Sequence, residues 1–258
     1  MARQKQNLVI GLTTFSHEFL KISGAGLARV PKNTVLVIYN DNPCRPLKHR
    51  TIRKLGFRGQ LNIINTDENV GIIRARVAIL NYIYKNKIDA SWMMFANDDD
   101  IVMNVAVPQV DESIFAIMGN AVVIRQRVLD ILRVIDNPDD YTVDGVDTQL
   151  YAPHIAMAGT FMRTKYVLEF GTFLSEIMPG ITEITSDLPF VIPADVIMWN
   201  MFVEYMRKNH PEMSPIYMNQ TNYLMTKLNN SCHPSDSQRD GLVTRAVSIV
   251  VAAPRGNE

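Results

Sequence analysis

Short apolar runs alternate with longer mixed segments through the first hundred residues. Three of these runs, Leu8 to Leu12, Val35 to Tyr39 and Leu61 to Ile64, are each followed by a polar stretch that begins with Thr or Asn. A fourth run covers Trp92 to Ala96. Short apolar runs bounded by polar residues are typical of buried strands, and the segments between them are long enough for helices.

The segment after Asn69-Val70-Gly71 shows helical periodicity, because Ile73, Val77, Leu80 and Ile83 or Tyr84 recur at helical spacing. The resulting β-α-β-α-β-α-β order predicts an α/β fold with a largely parallel sheet flanked by helices. Ligands of such sheets bind at the carboxyl ends of the strands. The polar residues at those predicted ends are Thr13, Thr14, Asn40, Asp41, Asp67 and Asp98 to Asp100.

The fourth run ends abruptly in Asn97 and three consecutive carboxylates, Asp98, Asp99 and Asp100. Burying an unpaired ionised group costs several kcal/mol or more, so we expect these residues where a strand leaves the sheet. Carboxylate oxygens suit hard cations such as Mg²⁺ and Mn²⁺. The alternative is an acidic turn with solvated side chains.

Beyond residue 105 the pattern loosens. It predicts a helix over 121–135, a surface loop over 137–148, a buried strand from His154 to Met162 and a short helix from Lys165 that ends at Gly171. A helix is also predicted after Pro193, since proline stands near its start and basic residues near its end. The tail predicts a polar loop over 229–241 and a strand over 242–253.

Composition sets broad limits. With 258 residues, 47% of them hydrophobic, the chain can bury a sizeable core as one large domain or as a domain with a subdomain. Lys plus Arg and Asp plus Glu both number 26, so the net charge favours no class of partner. Cys44 and Cys232 lack any CxxC spacing. The start of the chain lacks a signal-peptide core and no apolar run could span a bilayer, so we expect a soluble, cytoplasmic protein.

One local excess of positive charge stands out between Pro43 and Asp67, where six basic residues occur without an acid. This basic segment contains Arg45, Lys48, Arg50, Arg53, Lys54 and Arg58. It could meet the phosphates of a nucleic acid or of a phospholipid-linked acceptor. The ordinary alternative is a solvated helix face.

The order of these motifs resembles the nucleotide-sugar-dependent glycosyltransferases of the GT-A fold, in particular family 2. The resemblance covers roughly residues 7–210. It rests on Thr13-Thr14-Phe15 after the first strand, Asn40-Asp41 after the second, Asn69-Val70-Gly71 with Ala75-Arg76, and the acidic run after Phe95-Ala96. It implies one continuous GT-A domain, in which 1–105 form the nucleotide-sugar-binding half and 106–258 the acceptor-binding half and tail.

The resemblance implies roles for residues of the first half. Thr13 and Phe15 would border the nucleotide base and Asp41 would bind the base or ribose. Arg76 would lie near the nucleotide pocket, unless it is a helix-surface arginine. The family's Asp-x-Asp-Asp pattern falls on residues 97–100, so this chain has Asn97 where the first aspartate usually stands. Either Asp99 is the metal ligand and Asn97 faces the ribose, or Asp98 and Asp100 form the ligand pair, with Asp98 also near the nucleotide.

Later pieces of the resemblance concern catalysis. Ala194-Asp195 resembles the position that supplies the catalytic carboxylate of inverting members, although Asp195 could instead cap its helix. Gly159-Thr160-Phe161 with Arg163 resembles the segment that lines the donor sugar and acceptor, although a strand glycine also explains it. His233 lies where some GT-A enzymes place a third metal ligand, and its alternative is a solvated loop histidine.

The implied function is a metal-dependent glycosyltransferase that uses Mn²⁺ or Mg²⁺ to move a sugar from a nucleotide-sugar donor, such as a UDP-sugar, to a hydroxyl acceptor. The acceptor would be a saccharide or small molecule, or alternatively the hydroxymethylated bases of viral DNA. A nucleotidyltransferase would normally show a Gly-rich loop with a lysine after the first strand, whereas this chain has Gly11 and no lysine there before Lys21. A non-catalytic nucleotide-sugar-binding module is the remaining alternative.

Overall fold

The computed structural model describes residues 6–124, 148–186, 194–226 and 236–253. The strands are β1 (Gln6–Thr14), β2 (Val35–Asn40), β3 (Gln60–Asn65), β4 (Ala90–Asn97), β5 (Ile101–Val102), β6 (Ile114–Ile124), β7 (Thr148–Tyr151), β8 (Phe161–Arg163) and β9 (Ser214–Thr226). The helices are α1 (Leu20–Leu27), α2 (His49–Lys54), α3 (Gly71–Lys85), α4 (Thr164–Ser186), α5 (Ala194–Asn209) and α6 (Asp236–Ala252).

All nine strands belong to one sheet, in the order β3-β2-β1-β4-β8-β6-β9-β5, with β7 paired to β6. The strands β3, β2, β1 and β4 are parallel. Beyond β4 the sheet is mixed, since β8 is antiparallel to β4 and β6, while β6 and β9 are parallel. The predicted α/β class with parallel first strands is therefore confirmed, and residues on both sides of position 105 share this sheet.

The parallel strands are covered on both faces. Every residue of β2 is buried, which is typical of a strand between two layers of helices. Val35 and Val37 pack into one apolar cluster with α3, α4 and α5, whereas Leu36 and Ile38 pack into a second cluster with α1. This alternation fixes the register of the strands, because a slip of one residue would exchange the two faces.

The register aligns the carboxyl ends of the parallel strands. Thr13 of β1 lies opposite Asn97 of β4, and Thr14 lies opposite Asn40 of β2. The four predicted strands are present, and the helix predicted after Gly71 is α3. The sheet therefore places the polar residues that follow each strand at one edge, as the sequence predicts.

The predictions for residues 121–124 and for the strand from His154 to Met162 are wrong. Residues 121–124, predicted as helix, belong to the long strand β6, and 125–135 lie outside the described residues, as does most of the predicted loop over 137–148. Of the strand predicted from His154 to Met162, only Phe161 and Met162 are in β8. Gly159 has a φ of +76° and its backbone approaches Tyr223 too closely for any side chain, so the chain turns before the strand begins.

The end of α4 and the structure of the tail also differ from the predictions. The short helix predicted to end at Gly171 continues to Ser186, because Gly171 lets α4 approach Leu80 of α3 rather than stopping the helix. In the tail, residues 236–241 of the predicted loop and 242–252 of the predicted strand form α6, in which Ala246 and Val250 are buried against the helical layer. No helix within the described ranges is long and apolar enough to cross a membrane.

Candidate functional site

The first carboxylate of the acidic run is bound to the loop that follows β1. Oδ2 of Asp98 accepts hydrogen bonds from Oγ1 of Thr14 at 2.7 Å and from the backbone N–H groups of Phe15 and Ser16 at 3.1 and 3.2 Å. Burial raises the pKa of Asp98, and these three donors act in the opposite direction. Asp98 therefore joins the carboxyl ends of β1 and β4.

The third carboxylate points into the protein. Oδ1 of Asp100 accepts from the backbone N–H of Thr226 at 2.9 Å, and Oδ2 accepts from the Tyr223 hydroxyl at 3.0 Å and from Nδ2 of Asn97 at 3.1 Å. Burial, and next the charge of Asp99, raise the pKa of Asp100 well above its usual value. Asp100 thus attaches the acidic run to β9.

The middle carboxylate has a different environment. Asp99 is half-buried, and within the described part of the chain its carboxylate contacts no side-chain donor. Burial, and next the charges of Asp98 and Asp195, raise the pKa of Asp99 to about 6. No described cation lies close enough to Asp99 to lower its pKa and so stabilise its ionised form.

The fourth carboxylate comes from α5 and forms a buried ion pair. Oδ1 of Asp195 lies 2.6 Å from Nη2 of Arg76, whose side chain is 0% exposed against 22% for Asp195. Oδ1 also accepts from the backbone N–H of Ala158 at 3.0 Å, and Oδ2 lies 3.4 Å from Nδ2 of Asn97. The described partners of Asp195 therefore lie outside its own helix.

Arg76 is an interior residue and not a helix-surface arginine. Besides Asp195, its Nη2 donates to Oδ1 of Asn97 at 3.0 Å. The guanidinium carbon also lies 5.0 Å from the centroid of the Phe95 ring, within the range of a cation–π contact. From the sequence, Arg76 could only be assigned to the motif that begins with Asn69-Val70-Gly71. The fold places its guanidinium against Asn97 and Asp195.

Asp41 organises the start of α3 from the end of β2. Its Oδ1 accepts from the backbone N–H of Val70 at 2.7 Å and its Oδ2 from that of Gly71 at 3.0 Å. Burial raises the pKa of Asp41, and the two amide donors lower it. Of the two predicted base contacts, Thr13 is buried, whereas the Phe15 ring is 54% exposed beside the strand ends.

Three residues of the site were not predicted from the sequence. Tyr223 and Thr226 bind Asp100 from β9. The ring of His154 stacks on Tyr223 with centroids 6.1 Å apart, and its buried Nε2 has no hydrogen-bond partner among the described residues. Burial lowers the pKa of His154, and the charge of Asp195 acts in the opposite direction. The one signal in the sequence was Gly159, which permits the close approach of Tyr223.

The fold therefore brings together Asn97, the acidic run, Arg76 and Asp195, while Asp41 lies at the neighbouring strand end. His233 lies outside the described residues. Within those residues no group of three or more His, Cys, Asp or Glu side chains is arranged to hold a metal ion. Mg²⁺ in phosphate-binding sites commonly uses only one or two protein carboxylates together with substrate phosphates. The donor set of Asp98 and Asp99 fits an ion of that kind.

Comparison with known proteins assigns no family. No protein-family model matches the sequence, and no curated protein matches it. The fold is similar to that of S. aureus TarS 1-349, with 12% identity, coverage of 93% of this chain and 70% of that chain, and a TM-score of 0.44. It is also similar to the nucleoside-diphosphate-sugar pyrophosphorylase from Vibrio cholerae RC9, with 13% identity, coverage of 91% and 99%, and a TM-score of 0.42. Both similarities are too low to carry a functional argument.

Proposed function

We propose that this protein is a metal-dependent glycosyltransferase, which moves a sugar from a nucleotide-sugar donor to a hydroxyl acceptor. The observation that carries the proposal is the charge of the site at the carboxyl ends of the parallel strands. The carboxylates of Asp98, Asp99, Asp100 and Asp195 lie close enough to affect one another, Arg76 pairs with Asp195, and Asp99 faces none of the described side-chain donors. A divalent cation with a nucleoside diphosphate would complete this arrangement.

Asp99, with Asp98 beside it, is the best candidate to hold Mn²⁺ or Mg²⁺. The oxygens of Asp100 already accept from Thr226, Tyr223 and Asn97, which favours the register centred on Asp99 over the pair Asp98 and Asp100. When bound, the ion would supply positive charge for the oxygens of the leaving diphosphate. A contribution from His233 stays a prediction.

Asp195 is the candidate base for the acceptor hydroxyl. Its Oδ1 is occupied by Arg76 and Ala158, whereas its Oδ2 has only the long contact to Asn97 among the described residues. A carboxylate oxygen has two acceptor positions, so Oδ2 keeps one for a hydroxyl proton. In an enzyme that retains configuration, the same oxygen would instead orient the acceptor.

The nucleotide would lie beside β1 and β2. The exposed Phe15 ring offers an apolar surface for a base, and Thr13 and Asp98 lie at the same end of the sheet. The carboxylate of Asp41 already accepts hydrogen bonds from the backbone N–H groups of Val70 and Gly71. A contact with the base or ribose would be made in addition to these two bonds. The burial of Arg76 favours a role beneath the nucleotide site rather than direct contact with the donor.

For the acceptor we propose a saccharide or small molecule. The DNA alternative depended on the basic segment, and two of its six side chains already bind the turn after α2. Arg53 donates to the carbonyls of Phe57 and Gly59, and Arg58 donates to those of Arg53 and Phe57. These contacts account for Arg53 and Arg58 without a polyanion.

The test combines binding of a nucleotide with hydrolysis of nucleotide sugars in the absence of an acceptor. With UDP at about 100 times its Kd, binding stabilises by about 2.7 kcal/mol, which is roughly 5–10 °C in Tm for a chain of this size. We expect that shift with Mn²⁺ or Mg²⁺ and little of it with EDTA. We also expect slow metal-dependent hydrolysis of one nucleotide sugar in a panel assayed without acceptor.

The matched variants are Asp99→Ala and Asp89→Ala, the latter an exposed aspartate at the opposite end of β4. Asp99→Ala should lose the metal-dependent part of the shift and the hydrolysis, whereas Asp89→Ala should keep both. Equal nucleotide shifts with metal and with EDTA would exclude the proposed metal role. Release of a nucleoside monophosphate and a sugar 1-phosphate instead of a nucleoside diphosphate would place the attack at the α-phosphorus, as expected of a nucleotidyltransferase.

A further inference from the structure

The side chain of Asn97, which precedes the acidic run, contacts three charged groups. Its Oδ1 accepts from Nη2 of Arg76 at 3.0 Å. Its Nδ2 donates to Oδ2 of Asp100 at 3.1 Å and lies 3.4 Å from Oδ2 of Asp195. Its backbone N–H donates to the hydroxyl of Tyr223 at 3.0 Å. Asn97 therefore connects α3, the acidic run, α5 and β9.

The neighbours of Asn97 determine which way its amide points. A guanidinium only donates, so Oδ1 must face Arg76, and the carboxylate oxygens of Asp100 and Asp195 require the donor Nδ2. An aspartate at position 97 would keep the contact with Arg76. It would also place an oxygen, with no hydrogen to donate, 3.1 and 3.4 Å from two other carboxylates. Two such carboxylates repel strongly in a buried site wherever both are ionised, and burial has already raised the pKa of Asp100.

We propose that Asn97 is a positioning residue, whose amide holds the carboxylate of Asp195 and the guanidinium of Arg76 in place in a way that an aspartate cannot reproduce. The charge balance gives the reason, because Arg76 already pairs with Asp195, and no described cation lowers the pKa of Asp98, Asp99 or Asp100. The departure from the Asp-x-Asp-Asp pattern at this position is therefore a requirement of this site. The catalytic consequence of the inference rests on the function proposed above.

The first test measures thermal unfolding of the full chain in EDTA, so that no cation offsets an added charge. Asn97→Asp should lower Tm by about 5 °C or more, on the scale of a few degrees per kcal/mol for this size. Asn104→Asp is the matched control, because Oδ1 of Asn104 accepts from the N–H of Ala106 at 2.9 Å and an aspartate can accept equally well. It should stay within about 2 °C of the wild type.

Exchanging the side chains of positions 97 and 100 distinguishes a loss of Tm caused by charge repulsion from one caused by altered packing. In Asn97→Asp combined with Asp100→Asn, the amide returns to the shared contact and the total charge equals that of the wild type. This double variant should recover part of the Tm lost by Asn97→Asp, because it removes the repulsion with position 100 and leaves that with Asp195. Such non-additivity is expected for residues in contact or in one hydrogen-bond network. The proposal is overturned if Asn97→Asp melts at or above the wild-type temperature, or if the two changes simply add.

The second test separates positioning from donor binding. A positioning role predicts that Asn97→Asp lowers kcat by about tenfold or more while the KM for the nucleotide sugar changes by less than about twofold. A raised KM with unchanged kcat would overturn the proposal, since it would show that Asn97 binds the donor directly. If the wild type transfers no sugar, the proposed function fails, and the melting experiments still decide whether Asn97 positions Asp195 and Arg76.

Discussion

At the scale of single residues, the ion pair of Arg76 and Asp195 determines how the site must be tested. A buried guanidinium that loses its partner carries an uncompensated charge, which typically costs 3–5 kcal/mol. Asp195 therefore stabilises the fold besides any chemical role. A loss of turnover in Asp195→Asn would not by itself identify a base, because the same change removes the partner of Arg76.

We expect Asp195→Asn to lower the free energy of unfolding by about 3 kcal/mol or more, as measured by urea denaturation. In Arg76→Met with Asp195→Asn both members of the ion pair lose their charge together, so the double variant should lose less stability than the sum of the single changes. Additive losses would show that the 2.6 Å contact contributes no net coupling. The measured loss of stability in Asp195→Asn must then be taken into account when its turnover is compared with that of the wild type.

The sequence predicts the acidic residues but not their separate tasks. Asp98, Asp99 and Asp100 follow one another on the chain, yet Asp98 binds the loop after β1 and Asp100 binds β9. Tyr223 could not be predicted as their partner, because it is separated from Asp100 by 123 positions. Local patterns carry no information about such a contact until the sheet order is known.

At the scale of elements, the reliable predictions were those with a strong local pattern. The strands β1 to β4 are short apolar runs with polar ends, and α3 has a clear helical stripe, so local sequence and final structure agree. The tail fails this test, because its β-branched residues favour a strand while packing with α4 and α5 makes it a helix. The reverse error occurred in β6, whose described part is a buried strand 11 residues long.

Gly171 offers a prediction about packing between α3 and α4. A Cβ at this position would lie 2.8 Å from Cδ1 and 2.9 Å from Cβ of Leu80, which is buried. Alanine should gain about 0.5–1 kcal/mol from helix propensity, but overpacking of a core typically costs 1–3 kcal/mol. We therefore expect Gly171→Ala to be destabilising in urea denaturation.

A compensating change tests the cause of that loss. Leu80→Ala alone should destabilise by about 2–5 kcal/mol, as is usual for such a truncation in a core. Added to Gly171→Ala it should cost less than it does alone, because the new methyl group occupies part of the space that Leu80 leaves. If Gly171→Ala stabilises the protein, the two helices can separate slightly at no cost, and Gly171 is not needed for their packing.

At the scale of the whole molecule, the division into halves at residue 105 describes a proposed division of function. β4 of the first half pairs with β8 of the second, and one apolar cluster joins Val9 and Met93 to Phe170 and Phe202. The Arg76–Asp195 pair also crosses the division. Since the strands and core of each half are completed by the other, we expect neither half to be stable alone.

The two tryptophans provide separate probes of this cooperativity. Trp92 lies on β4 and Trp199 on α5, and both are buried. The variants Trp92→Phe and Trp199→Phe therefore each leave one fluorophore, in the second and first half respectively. For each variant, we expect its fluorescence to follow the same urea transition as its far-UV circular dichroism, since coincident probes are the mark of a single cooperative unit. Separated transitions, or a cooperative transition in an isolated fragment of residues 1–105, would show instead that the first half folds without β8, α4 and α5.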